Sequence, residues 1–162
     1  LTGLPNRRLL SDRLTQLLNH ADRHGTLSAI CFLDLDDFKE VNDQLGHDFG
    51  DQVLIAIAER LQLSIRSEDS LARLGGDEFV ILLADLHSVE ECTFILERVL
   101  QALQQPIPIQ ERQVSLSACI GVSMYPSDHS EADILLRHAD HFKHGLRRRL
   151  DICAEKADYQ TI

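Results

Sequence analysis

Apolar positions along the chain fall into two rhythms. Leu9, Leu10, Leu14, Leu17 and Leu18 recur at helical spacing, with Asn6 placed to cap the helix and Gly25 to end it after His24. Leu27 to Asp34 follows, and its centre, Ala29-Ile30-Cys31-Phe32-Leu33, is apolar without a break, which predicts a buried central strand. Phe38 to Leu45 reads as a short helix closed by Gly46-His47. A longer helix opens at Asp48-Phe49-Gly50-Asp51 and runs to about Arg66 on the stripe Leu54, Ile57, Ala58, Leu61, Ile65. From Leu71 to Leu83, two apolar runs flank Gly75-Gly76-Asp77-Glu78, the pattern of a β-hairpin with a glycine turn.

Ser88 and Glu91 form a capping box for a helix to Gln104, with Cys92, Ile95, Leu96, Val99 and Leu103 facing inward. Pro106 and Pro108 break it. Gln110 to Gln113 is a turn between Ile107–Ile109 and a strand spanning Val114–Met124, which Tyr125-Pro126 ends. Ser130 and Asp133 cap a last helix with the stripe Leu135, Ala139, Phe142, Leu146, Leu150, Cys153. The order α-β-α-α-β-β-α-β-β-α predicts an α+β fold, a mostly antiparallel five-stranded sheet flanked by helices.

Composition narrows the class. A chain of 162 residues with 44% hydrophobic and 26% charged residues suits one domain, 1–162, with its own core. The net charge of −10 argues against non-specific nucleic-acid or membrane contact, and an anionic substrate would need a local cation. Cys31, Cys92, Cys119 and Cys153 are scattered without a C-x-x-C pair, as in a reduced, cytoplasmic domain. There is no signal peptide, and the longest apolar runs are too short to span a bilayer. The abrupt opening at Leu1 reads as a domain cut from a longer chain.

Candidate chemistry gathers at the end of the first strand. Asp34-Leu35-Asp36-Asp37 sets three acids there, and Asp34, directly after a buried run, is costly unless a cation joins it. If that strand pairs beside the hairpin, Asp34 and Asp77 meet at one sheet edge. The helix starting at Phe38 points free N–H groups at the same place, with Lys39 in its first turn, an arrangement that can hold phosphate. Two carboxylates beside a phosphate site suit Mg²⁺ carrying a nucleoside triphosphate. Taken alone, the glycine turn fits an ordinary surface hairpin, and Asp51 fits a helix start.

These motifs together resemble the GGDEF family, the diguanylate cyclases. Arg73 to Phe79, Arg-Leu-Gly-Gly-Asp-Glu-Phe, matches its signature. Asp34 to Asp51 matches its other long motif, Leu1 to Arg7 its opening, and Gly121 to Pro126 with Ala139-Asp140 its later segments. The resemblance implies a sheet akin to the palm of nucleotide cyclases and polymerases. It also implies condensation of two GTP to cyclic di-GMP and two pyrophosphates, each domain of a homodimer presenting one GTP. Asp34, Asp77 and the Leu35 carbonyl would then hold Mg²⁺ or Mn²⁺. Asn42 and Asp51 would read the guanine edge, while Lys39 and the Phe38 backbone contact phosphates beside Gly75 and Gly76. Glu78 would help ready the 3′-hydroxyl or hold a second metal. Arg66-Ser-Glu-Asp69 stands at the family's R-x-x-D inhibitory site, where cyclic di-GMP would bind; by itself the pair also fits a helix-ending ion pair. Sensory or EAL phosphodiesterase domains would share the chain.

The match departs in the last helix. Arg147 keeps the cation at the family's lysine position, but Leu150-Asp151 stand where it has Gly-Arg. Losing one charge-assisted phosphate contact costs about 1.5–3 kcal/mol. A second reading follows: a weak or inactive domain that binds GTP or cyclic di-GMP and regulates a neighbour. A polymerase fragment fits the acidic balance and small size poorly. His138, His141 and His144 lack a further ligand for a metal site.

Overall fold

The computed structural model describes residues 1–127, 152–153 and 158–161. Helix α1 (Arg7–His24) begins where the Asn6 side chain accepts the Leu9 N–H at 3.2 Å and ends at Gly25, φ 63°. The expected stripe is only partly used. Leu10, Leu14, Leu18 and Ala21 are buried, whereas Leu9 is exposed, because α1 packs one face against the sheet.

Strand β1 (Leu27–Leu35) is followed by α2 (Phe38–Leu45), α3 (His47–Ser64), β2 (Ser70–Gly75), β3 (Glu78–Leu86), α4 (Val89–Gln104), β4 (Ile107–Ile109), β5 (Arg112–Ser115), β6 (Ala118–Tyr125), β7 (Ile152–Cys153) and β8 (Asp158–Thr161). The main sheet runs β2-β3-β1-β6-β7, all neighbours antiparallel, and β4-β5-β8 form a second, antiparallel sheet. The α+β class and the five-stranded sheet are therefore as the pattern predicts.

The unbroken apolar runs have a direct cause: β1 and β3 are covered on both faces. Ala29, Cys31, Leu33 and Leu35, with Phe79, Ile81 and Leu83, enter the core shared with α2, α3 and α4. Ile30 and Phe32, with Val80 and Leu82, enter a second core under α1. Within the larger core, Cys31 and Cys92 are buried free thiols, and burial together with a hydrogen bond to Cys92 pushes the Cys31 thiol well above its ordinary value.

Three boundaries differ from the sequence pattern. Helix α3 stops at Ser64 rather than Arg66, because the Arg66 N–H turns to the Asp69 carboxylate at 2.9 Å instead of continuing the helix. Arg98 from α4 then donates to the Ser64 carbonyl at 2.8 Å and closes that end. The strand predicted over Val114–Met124 is two strands, β5 and β6, in different sheets. Between them Leu116 and Ser117 are buried, and the Ser117 carbonyl leaves the ladder to accept the Asp36 N–H at 2.9 Å. Cys153, placed on the last helical stripe, lies in β7. The rest of that predicted helix lies outside the described residues. Among the described residues no helix is long and apolar enough to cross a membrane.

Helix α1 is tied to β3 by a polar contact at Asp85, whose carboxylate lies 2.9 Å from His20 Nε2 and 3.2 Å from Thr26 Oγ1. Burial raises the Asp85 carboxyl, but the His20 and Thr26 contacts outweigh it and hold it below its ordinary value. The ionised form thus stabilises the fold above the unfolded carboxylate pKa of about 3.9 and loses that effect as pH falls through the lower folded value. Asp85→Asn is expected to lower stability by less than about 1 kcal/mol at neutral pH, since the pair is partly solvated. In urea melts across pH the difference from the parent should close in acid; a constant gap would contradict an ionic origin.

Candidate active site

The end of β1 and the β2–β3 turn meet at one edge of the sheet. In the ladder Asp34 stands opposite Glu78 on β3 and opposite Cys119 on β6, so these three positions share the face that also carries α1. Directly opposed residues hold their Cβ atoms about 4.5–5.5 Å apart. Asp77 is one of the two turn residues between Gly75 and Glu78, and its carbonyl accepts the Leu35 N–H at 3.4 Å. Asp34, Asp77 and Glu78 are all half-buried. Because β1 pairs beside the hairpin, Asp34 and the turn that carries Asp77 lie at the same edge of the sheet.

The turn itself is built by glycine and a bulge. Gly75 has φ 153° and Gly76 φ 49°, conformations that a side chain resists. The register skips Leu74 between the Arg73–Phe79 and Gly75–Glu78 pairs, a bulge that re-aims the chain just before the acids. Arg73 Nε braces the turn through the Gly76 carbonyl at 3.0 Å, and the Arg73 N–H holds the Pro5 carbonyl at 3.3 Å.

Like charges at cross-strand spacing repel, and a divalent cation relieves that repulsion. Among the described residues no three His, Cys, Asp or Glu side chains form a ready-made cage. That donor set fits magnesium or manganese arriving with a nucleotide, since Mg²⁺ takes one or two protein carboxylates and fills its octahedron with phosphate and water.

From this edge the chain enters α2. Asp36 is fixed from β6's approach: Ser117 Oγ donates to Asp36 Oδ2 at 2.7 Å, and Cys119 Sγ lies 3.9 Å from the same oxygen. Asp37 adopts φ 57° and does not cap α2 with its side chain. Phe38 is buried as an anchor while Lys39 is exposed in the first turn. The start of α2 is thus held rigidly four residues from Asp34.

Gly46, φ 88°, is both the last cap of α2 and the first of α3, so the two helices join at a one-residue elbow. The elbow lays half-buried Asn42 against buried Gly50, with exposed Asp51 the next residue. The sequence named Asn42 and Asp51 as a pair; it did not name Gly50 as what gives the Asn42 amide its room, and a glycine in the first turn of a helix was the available signal. Ser117 was likewise missed, its signal being a serine inside an apolar run.

Arg66 and Asp69 are engaged with each other and with the protein. Arg66 Nε and Nη2 reach the two Asp69 oxygens at 3.1 Å each, and Nη2 also donates to the Ala84 carbonyl at 2.6 Å. The Asp69 side chain is 0% exposed and further accepts the Ala84 N–H at 3.0 Å. Glu91 stands 3.5 Å from Arg66 Nη1. Its other carboxylate oxygen takes the His87 N–H at 2.7 Å while Ser88 Oγ accepts from Glu91 N, a capping box shifted by one residue. A groove of about 550 Å³ between α1 and the hairpin is lined by Arg13, His20, Arg23, Glu68, Ser70 and Asp85 among others, and neither Arg66 nor Asp69 is one of its lining residues. Arg147 and the histidines His138, His141 and His144 lie outside the described residues.

The family model "Diguanylate cyclase, GGDEF domain" matches residues 1–149. The chain is 44% identical over 140 residues to the bifunctional diguanylate cyclase/cyclic di-GMP phosphodiesterase MucR of Pseudomonas aeruginosa, covering 86% of this chain and 20% of that protein. The crystal structure of the GGDEF domain of PA1120 (YfiN or TpbB) from the same organism superposes with a TM-score of 0.86 at 41% identity, covering 89% of this chain and 90% of that one. A microbial GGDEF domain whose structure describes an interaction with cyclic di-GMP matches with a TM-score of 0.74 at 29% identity, over 88% of this chain and 85% of that one. The chain spans a third or less of the length of the curated relatives named first among its matches.

Proposed function

The chain belongs to the diguanylate cyclase (GGDEF-domain) family, and from that premise we propose that it condenses two GTP into cyclic di-GMP as a homodimer, one GTP per domain. The observation that carries the reading is the convergence of Asp34, Asp77 and Glu78 at one sheet edge, beside the start of α2. In each half-reaction a 3′-hydroxyl oxygen attacks the α-phosphorus of the other GTP, the bond to pyrophosphate breaks, and the hydroxyl proton leaves. Glu78 would accept that proton. The Phe38 N–H and Lys39 bind phosphate oxygens, and Gly75 and Gly76 let the triphosphate lie close to the backbone. Asn42 offers a donor and an acceptor to guanine, and Asp51 accepts from its N1–H and exocyclic amine. Asp34, Asp77 and the Leu35 carbonyl would hold Mg²⁺ or Mn²⁺, which when bound supplies neutralisation of the phosphoryl charge and a lowered hydroxyl pKa.

Product inhibition belongs to the same reading. Cyclic di-GMP carries two phosphates and two guanine edges, and the partly exposed Arg66 fork is the cation offered at this site. A ligand at Arg66 would compete with Asp69 for the guanidinium fork.

A second reading, a regulatory domain acting on a sensory or EAL domain of the same chain, is favoured by one observation: Leu150-Asp151 in place of the family's Gly-Arg. One assay separates the two. The domain, forced to dimerise, is incubated with GTP and Mg²⁺, and the products are resolved by chromatography. Cyclic di-GMP is expected; a folded dimer that binds GTP and yields none would leave the regulatory reading standing.

A further inference from the structure

The α2–α3 elbow contains a feature that the proposed chemistry does not by itself require. A Cβ built on Gly50 would lie 1.8 Å from Asn42 Oδ1, 2.9 Å from Asn42 Cγ and 3.3 Å from Phe38 Cζ. Real Cβ atoms do not come that close to other heavy atoms, so the Asn42 amide occupies the space a side chain at 50 would fill. Gly50 sits in the first turn of α3, its N–H on the Gly46 carbonyl at 3.1 Å, and its φ is not in the left-handed region. Backbone conformation therefore places no demand for glycine here; room for Asn42 does. The Asn42 carbonyl is itself fixed by the Gly46 N–H at 2.9 Å, so the residue is held at its backbone by the elbow and at its amide by the bare face of Gly50.

We infer that Gly50 is a specificity-determining residue for the purine base, a positioning residue that seats the Asn42 amide beside Asp51 without touching the nucleotide. The inference rests on the proposed reading of Asn42 and Asp51 as the guanine readers. A methyl group at position 50 turns the Asn42 amide away, since the flexible side chain yields before the helix backbone. The site then keeps its phosphate contacts, because the Phe38 ring has to give by only a few tenths of an ångström and the Asp36 turn and the hairpin are anchored through Ser117, Arg73 and the sheet. What is lost is the Asn42 share of the distinction between guanine and adenine, while Asp51 keeps its own.

The test uses 3′-deoxy-GTP and 3′-deoxy-ATP, which lack the attacking hydroxyl, with Mg²⁺ in titration calorimetry, and circular dichroism as a fold control. The parent is expected to bind the guanine analogue at least tenfold more tightly. Gly50→Ala should lose at least about threefold of that preference through weaker binding of the guanine analogue, and Asn42→Ala should lose the same, the rest being held by Asp51. In the double variant the two losses should not add, since one substitution already removes what the other displaces. Undiminished guanine preference in Gly50→Ala, or additive losses, would overturn the inference alone. A parent with no guanine preference would overturn both the inference and the reading beneath it. If Gly50→Ala does not fold, the double variant, in which only the 3.3 Å approach to Phe38 Cζ remains, must fold; its failure would show that Gly50 serves packing against Phe38 rather than Asn42.

Discussion

Asp77→Ala is expected to lower cyclic di-GMP formation by at least about a hundredfold, several kcal/mol of charge stabilisation being what a metal-ligand contact supplies. The same substitution should leave the fold intact. Asp77 is a turn residue, and the tie it makes to β1 uses its backbone: the Leu35 N–H donates to the Asp77 carbonyl. Alanine keeps that bond, and the conformational demands of the turn fall on Gly75 and Gly76 rather than on position 77. Product formation by chromatography and melting temperature by circular dichroism should therefore move independently. A large fall in melting temperature would assign Asp77 to structure; activity within about threefold of the parent would remove it from the metal site. Asp34→Ala does not offer so clean a separation, because its position lies inside the central strand with neighbours on both sides.

Asp69→Ala is expected to have the largest effect on stability, about 3 kcal/mol, the cost of removing one partner of a buried charge pair. The carboxylate takes two backbone N–H groups, from Arg66 and Ala84, besides the Arg66 fork. Alanine leaves the buried Ala84 N–H and a partly buried guanidinium without it. For a chain of this length that is a fall in melting temperature of roughly 6–12 °C. Less than about 2 °C would show that the pair contributes little to the fold and that Asp69 is available to a ligand. The result governs how inhibition is to be probed. Arg66→Lys keeps the charge and removes the fork, so loss of cyclic di-GMP inhibition in that variant, with the fold retained, is the informative measurement. Inhibition lost only together with stability would point to the ion pair as a helix end and nothing more.

The elements were legible where a single local cause set them. Asn6, Gly25, Gly46 and Ser88 end or begin helices through their own backbone or side-chain chemistry, and each does so at or within one residue of the predicted place. The β2–β3 hairpin follows from two glycines between apolar runs. Legibility failed where a distant partner took the decision. Helix α3 ends at Ser64 because Asp69 captures the Arg66 N–H, and the Val114–Met124 run divides because Asp36 draws the Ser117 carbonyl out of the ladder. The apolar letters of that run are the same in either sheet, so periodicity had nothing with which to mark the break.

The sequence alone supplied the residue types on which the proposed chemistry rests: carboxylates after a buried strand, a glycine turn followed by two more, and an amide and a carboxylate proposed to read a base. Those are properties of residue types and spacing, and they survive any detail of packing. Tertiary structure alone decided what stands next to what. Antiparallel pairing of β1 with β3 sets Asp34 against Glu78, the elbow at Gly46 lays Asn42 on Gly50, and a fold of the chain back on itself buries Asp69 under Arg66 and Ala84. The physical reason is that register, helix contact and burial each depend on two segments at once, and no single stretch of sequence carries both halves.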